Sequence, residues 1–294
     1  MPRAAALGAL ALVAMIGAMR AFVSPPRLLS QLDRLAGGQA GARLLAEGVP
    51  FGTHGQRLDI WGPKGEAGAP LPVVIFWYGG GWAKGERTSY AFAGRALARA
   101  GFLVAIPDYR KVPAVHFPAF LDDGAEAVAW VDANIARLGG DRARVAVMGH
   151  SAGAWQAVML ALDARRLAAR GVAPGFIKAG VGLAGPYDFH PFTSARAIAA
   201  MGRWPRPAET QPITFARADA PPLLLVTSDG DRTVRKKNAI NLAARLRELG
   251  APVELRNYGP LTHEEVVMAL AVPFRAKGPV LAESLAFLKA AMGE

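Results

Sequence analysis

Arg144-Val145-Ala146-Val147-Met148-Gly149-His150-Ser151-Ala152-Gly153 is the stretch on which the reading of this chain depends. The apolar residues up to Met148 predict a buried strand over 144–148, and the run that follows predicts a helix over 151–166. Between them lies a G-x-S-x-G turn, Gly149 to Gly153. A strand that reverses this sharply into a helix forces the central residue into strained dihedrals, and glycines on either side remove side chains that would collide. The helix amino terminus also places a positive dipole beneath Ser151. Ser151 is therefore the candidate nucleophile. A plain helix-capping serine after a glycine turn is the alternative reading of the same residues.

Working outward, short apolar runs alternate with amphipathic segments. Strands are predicted at 57–61, 72–77, 102–106, 177–183, 222–226 and 253–257, and helices at 88–100, 120–138, 236–249, 264–271 and 281–292. Wholly apolar strands separated by helices imply an α/β fold with a mostly parallel central sheet covered on both faces. Chemistry in such sheets gathers in loops beyond the carboxyl ends of the strands. Residues 24–48 read as an N-terminal helical segment, with Leu28, Leu29, Leu32 and Leu35 at helical spacing, and residues 49–294 as one catalytic domain.

The chain has 294 residues, 52% of them hydrophobic, enough for one large core and too few for two comfortable domains. Its net charge is +11, yet no basic run exceeds Arg235-Lys236-Lys237 and no aromatic ladder interleaves the cations, which argues against nucleic acid as a partner. Ala4 to Met19 is an unbroken apolar run between Arg3 and Arg20. If Arg20 snorkels, the run extends through Val23 and reaches spanning length, so residues 1–23 read as an anchor or an export signal, with membrane association through residues 4–23. Neither orientation is favoured by the flanking charges, and with no cysteine there is no redox clue to compartment.

Three further features complete the candidate chemistry. Tyr78-Gly79-Gly80-Gly81-Trp82 directly follows the strand predicted at 72–77. Consecutive glycines let backbone N–H groups converge on a developing oxyanion, so Gly80, Gly81 and the residue after the nucleophile, Ala152, are the candidate donors. A serine hydrolase built on a nucleophile elbow places its acid and then its histidine later in the chain. His190 and His263 are the histidines after Ser151, and His263 lies near the end, after the last predicted strand. Asp229 and Asp231 both fit the loop after the strand at 222–226, with Asp188 a remoter acid. Such a set needs no metal and no cofactor.

Taken together, these stretches resemble the esterase/lipase branch of the α/β-hydrolases related to hormone-sensitive lipase and to bacterial feruloyl-esterase-like proteins. Tyr78 to Trp82 is similar to that branch's H-G-G-G-W. Asp108-Tyr109-Arg110 with Phe117-Pro118-Ala119 and Asp122-Asp123 is similar to its D-Y-R…F-P-A…D stretch, and Gly149 to Gly153 to its elbow. The resemblance spans roughly residues 50–290. It implies the α/β-hydrolase fold and a Ser151–His263–Asp231 triad, since that fold's usual valine three residues after the acid is matched by Val234. It also implies hydrolysis of small to medium carboxylic esters, with amide or peptide hydrolysis, or a non-catalytic binding role, as alternatives. Tyr78 departs from the histidine usual at its position. The Pro- and aromatic-rich stretch at 185–220 resembles a short cap, and a packed surface loop is the other reading.

Overall fold

The computed structural model describes residues 24–65 and 68–293. Eight strands form one sheet: β1 (Ala42–Phe51), β2 (Gln56–Pro63), β3 (Leu71–Trp77), β4 (Leu103–Pro107), β5 (Gly140–His150), β6 (Ile177–Leu183), β7 (Leu223–Thr227) and β8 (Val253–Asn257). They lie in the order β1-β2-β4-β3-β5-β6-β7-β8. The β1–β2 and β2–β4 pairs are antiparallel and every pair from β4 to β8 is parallel. All residues of β4 and β7 are buried, so both faces of the sheet are covered, which is why these strands read as continuous apolar runs rather than alternating ones.

The flanking helices are α1 (Pro25–Asp33), α2 (Ala91–Ala98), α3 (Ala119–Asn134), α4 (Ala152–Leu162), α5 (Ala164–Ala168), α6 (Ala195–Met201), α7 (Lys237–Glu248), α8 (His263–Met268) and α9 (Val280–Ala291). The predicted α/β-hydrolase arrangement with a mostly parallel sheet holds. The helix expected over 151–166 begins one residue after Ser151 and breaks at Asp163, so Ser151 is the turn itself.

The N-terminal segment differs from the expectation. Helix ends by Gly38, and residues from Ala42 belong to β1, not to a helical segment reaching residue 48. Two register shifts, at Leu44/Ala46 and Ala46/Val49, interrupt the pairing with β2. They destroy the two-residue alternation by which a strand is recognised, leaving Leu44-Leu45 looking like a helix face. Gly48 at φ +61° turns the strand and donates its N–H to Asp59 at 2.8 Å, so tertiary partners decide this element.

Helix α1 is fastened to the body by a buried charge. Arg95 Nε donates to Asp33 Oδ2 at 2.8 Å and Arg95 Nη2 to the Ser30 carbonyl at 2.7 Å, while the Val272 amide donates to Asp33 Oδ1 at 2.9 Å. Removing one member of a buried pair strands the other. Asp33→Ala is therefore expected to cost about 3–5 kcal/mol in urea unfolding, and a loss below about 1 kcal/mol would show Arg95 to be solvated.

The apolar run from Ala4 to Met19 lies outside the described residues. No helix among the described residues is long and apolar enough to cross a membrane.

Candidate active site

The turn at Ser151 follows from two close approaches. Ser151 has φ 55° and ψ −120°, in the left-handed half of the map where a non-glycine residue is strained. Its amide donates to the Leu183 carbonyl at the end of β6 at 2.8 Å, and its carbonyl accepts from the Trp155 amide at 3.0 Å. A Cβ on Gly153 would meet the backbone carbonyls of Trp77 and Tyr78, and one on Gly149 would meet the Gly153 backbone. The start of α4 is thus pressed against the end of β3, and only glycine fits.

His263 is the first residue of α8, whose start is set by a capping box. Thr262 Oγ1 accepts from the Glu265 amide at 3.3 Å and Glu265 accepts from the Thr262 amide at 2.9 Å. That start aims the imidazole at the elbow. His263 Nε2 lies 2.8 Å from Ser151 Oγ and Nδ1 lies 2.7 Å from Asp231 Oδ2. The carboxylate at Nδ1 requires the proton there, so Nε2 is the acceptor facing the hydroxyl. Asp231 is buried, and its Oδ1 accepts from the amides of Thr233 at 2.8 Å and Val234 at 2.7 Å. Those two bonds hold Oδ2 toward the histidine.

The other candidate acids point elsewhere. Asp229 is half exposed, pairing with Lys236 at 2.7 Å and accepting from Asn257 at 3.1 Å. Asp188 accepts from Asn241 at 2.6 Å. His190 lines the cleft and sits edge-on to Phe192.

His150, inside the elbow, is a participant that motif reading passes over. Its Nε2 donates to the His263 carbonyl at 3.0 Å, and the two rings lie 4.9 Å apart. Burial, and secondarily the neighbouring His263, push the His150 imidazole down to about 3 from an ordinary 6.5. The unfolded chain takes up a proton at this residue below about pH 6.5, while the folded one resists until about 3. Stability is therefore lost as pH falls across that window. His150→Gln is expected to flatten the loss of unfolding free energy between about pH 6 and 4; equal slopes in the two proteins would place the acid sensitivity elsewhere.

The glycine loop sits directly over the elbow. Gly80 has φ +137° and Gly81 φ +59°, and neither amide is used in a backbone hydrogen bond among the described residues. A Cβ on Gly79 would stand 3.1 Å from both the His150 carbonyl and Ser151 Cβ. Tyr78, in place of the usual histidine, braces this loop from below. Its hydroxyl donates to Asp108 Oδ1 at 2.9 Å and accepts from Lys111 Nζ at 2.9 Å, and its ring stacks on Tyr109 with centroids 4.7 Å apart. Asp108 is held in turn by Arg87 at 2.7 Å, which also reaches Asp59 at 2.8 Å. The quoted Asp108-Tyr109-Arg110 stretch signals part of this network; Arg87 and Lys111 carry no motif.

Ser151 and His263 open into a cleft of about 1780 Å³. Leu28, Leu29, Trp82, Phe92, Phe189 and Val267 give it apolar walls, so α1 and the stretch at 185–220 both contribute. Trp82 stacks on Phe189 at 6.0 Å, joining the glycine loop to that stretch.

The BD-FAE family model matches residues 58–246. This chain belongs to the BD-FAE family. Membership covers the elbow, the glycine loop and Asp231, and leaves His263 outside the matched span. The chain is 31% identical over 211 residues to the esterase LipC of Mycobacterium tuberculosis, covering 65% of this chain and 52% of LipC. It is 30% identical over 249 residues to a probable isoprenylcysteine alpha-carbonyl methylesterase of Oryza sativa subsp. japonica, covering 77% of this chain and 60% of that protein. The chain thus spans little more than half the length of these curated relatives. Among solved structures, the esterase LipW from Mycobacterium marinum superposes with a TM-score of 0.74 at 25% identity, over 90% of this chain and 88% of that one.

Proposed function

We propose that this BD-FAE family member is a serine esterase that cleaves small to medium carboxylic esters through an acyl-enzyme. The observation that carries the reading is the unbroken chain from Ser151 Oγ to His263 to Asp231, at 2.8 and 2.7 Å, opening into a partly apolar cleft beside glycine-loop amides that have no backbone acceptor among the described residues. The esterase names of similar proteins support the reaction class. In this mechanism His263 Nε2 takes the Ser151 proton as Oγ attacks the acyl carbon. The N–H groups of Gly80, Gly81 and Ala152 receive the developing oxyanion, where each donor is worth about 3 kcal/mol. Asp231 stabilises the imidazolium, which then gives its proton to the departing alcohol oxygen. Water activated by the same imidazole releases the acid and restores Ser151.

The test is hydrolysis of p-nitrophenyl esters of increasing chain length, beside labelling by a fluorophosphonate probe and mapping of the modified residue. Turnover with the label on Ser151 is expected; no turnover and no label on folded protein would overturn the reading in favour of a non-catalytic fold.

The segment at residues 4–23 is proposed to hold the domain at a membrane surface. Exposed Leu32 and Leu35, just after it in the chain, are 40% and 83% accessible and suit that placement. The full chain is expected to float with phospholipid vesicles in a density gradient, and a chain starting at Ser24 to remain below; co-flotation of both would assign the attachment to another surface.

A further inference from the structure

The charge around the cleft is far more one-sided than the chain. The whole sequence has 34 basic and 23 acidic residues. The cleft is lined by five cations, Lys84, Arg196, Arg232, Arg235 and Lys237, and its sole lining carboxylate among the described residues is Glu264. None of the five makes an ion pair among the described residues. All five are exposed, and one of them reaches over the glycine loop. Arg196, on α6, lies across the glycine loop: a Cβ on Gly81 would stand 2.7 Å from Arg196 Cδ and 3.5 Å from its Nη1. Its guanidinium therefore sits beside a proposed oxyanion donor, with no hydrogen-bond acceptor among the described residues.

Like charges gathered around one cavity repel, and low-dielectric walls focus their field inward. An occupant that brings a negative charge relieves both effects. A planar guanidinium with its donors free matches a carboxylate in a two-bond fork, which a lysine would not do. Its position against Gly81 puts that fork within reach of a group on an ester bound at the glycine loop.

We propose that the site prefers esters bearing a carboxylate near the scissile bond, with Arg196 as the residue that reads it. This rests on the esterase reading above and names its substrate class. The other cations, Arg232, Arg235 and Lys237 among them, would steer such anions into the cleft, making the preference weaken with salt.

The experiment compares matched esters on the full chain. One pair is mono-p-nitrophenyl glutarate against p-nitrophenyl valerate, with the charge on the acyl side. The other is m-acetoxybenzoate against phenyl acetate, with the charge on the alcohol side. In at least one pair kcat/KM for the anionic ester should exceed that for the neutral one by about tenfold, the worth of one charge-assisted hydrogen bond. Arg196→Gln should erase that ratio, Arg245→Gln near the end of α7 away from the cleft should preserve it, and added salt should shrink it. The pair that responds tells which half of the substrate meets Arg196. Ratios near one or below in both pairs, or a preference that survives Arg196→Gln, would overturn the proposal while leaving the esterase reading intact. Absence of turnover on all four esters, with no probe label on Ser151, would sink both.

Discussion

Ser151→Ala is expected to lower turnover of p-nitrophenyl esters by about 10⁴- to 10⁶-fold while leaving the thermal midpoint nearly unchanged. The size of the effect comes from what a single oxygen does in this site. Without Oγ there is no acyl-enzyme, and His263 can only assist water directly, so what remains is the contribution of the glycine loop and of substrate binding. The fold should tolerate the change because Ser151 is held by its backbone, through the Leu183 carbonyl and the Trp155 amide, and not by its side chain. Alanine at φ 55° is strained as serine is, so little stability changes hands. Single-turnover kinetics beside a melting curve separates the cases. A variant that keeps more than about a hundredth of the wild-type rate would show that another residue supplies the nucleophile.

The second large effect is expected at Asp231. Asp231→Asn should reduce kcat by about 10⁴-fold near neutral pH, as tautomer control predicts for a triad acid. The carboxylate can only accept, so it fixes the proton on His263 Nδ1 and leaves Nε2 basic. An amide side chain, still accepting from the Thr233 and Val234 amides through its oxygen, would present NH₂ to Nδ1 and move the proton to Nε2. The imidazole would then donate toward Ser151 and could not take its proton. Asp229→Asn is the natural comparison. It loses only an exposed pair with Lys236, of small worth at the surface, and its activity is expected to stay within about twofold of wild type. If Asp229→Asn were the damaging change, the loop would have to rearrange when substrate binds.

These two carboxylates also show where reading a sequence stops. Chain order offers Ser151, then an acid, then His263, and the stretch from Asp229 to Asp231 offers two acids a residue apart. Their backbones leave the same strand, and the local mark between them, Val234 three residues after Asp231, favours Asp231 without showing why. The turn after β7 does: it brings the Thr233 and Val234 amides back onto Asp231 Oδ1 and turns Asp229 out to Lys236 and Asn257. The valine three residues after the acid, used as a mark of the fold, is thus the place of an N–H donor; its side chain was never the point.

Other elements divide in the same way. The parallel core was legible because β3, β4 and β7 are buried on both faces and leave runs of apolar residues, a signal that needs no partner to be recognised. β1 was not, because bulges break its period and its pairing with β2 is what makes it a strand. Tyr78 read as a loss of the usual histidine. Only the packed structure supplies its substitute, a phenol anchored to Asp108 and Lys111 that braces the glycine loop.

By itself, then, the sequence determined the elbow at Ser151, the glycine loop ahead of it, the α/β order of strands and helices, and the late position of His263. Each of these is a local demand of the backbone: a positive φ, an approach too close for a Cβ, or an apolar run of set length. The tertiary structure alone decided what turns Asp231 toward His263 and Asp229 away, what holds Tyr78, where α1 docks and which cations surround the cleft. Those are distances between segments far apart in the chain, such as Arg196 lying across Gly81, and they exist only after the sheet and helices have packed. Periodicity records what a residue requires of its neighbours along the chain, whereas packing decides which residues become neighbours across it.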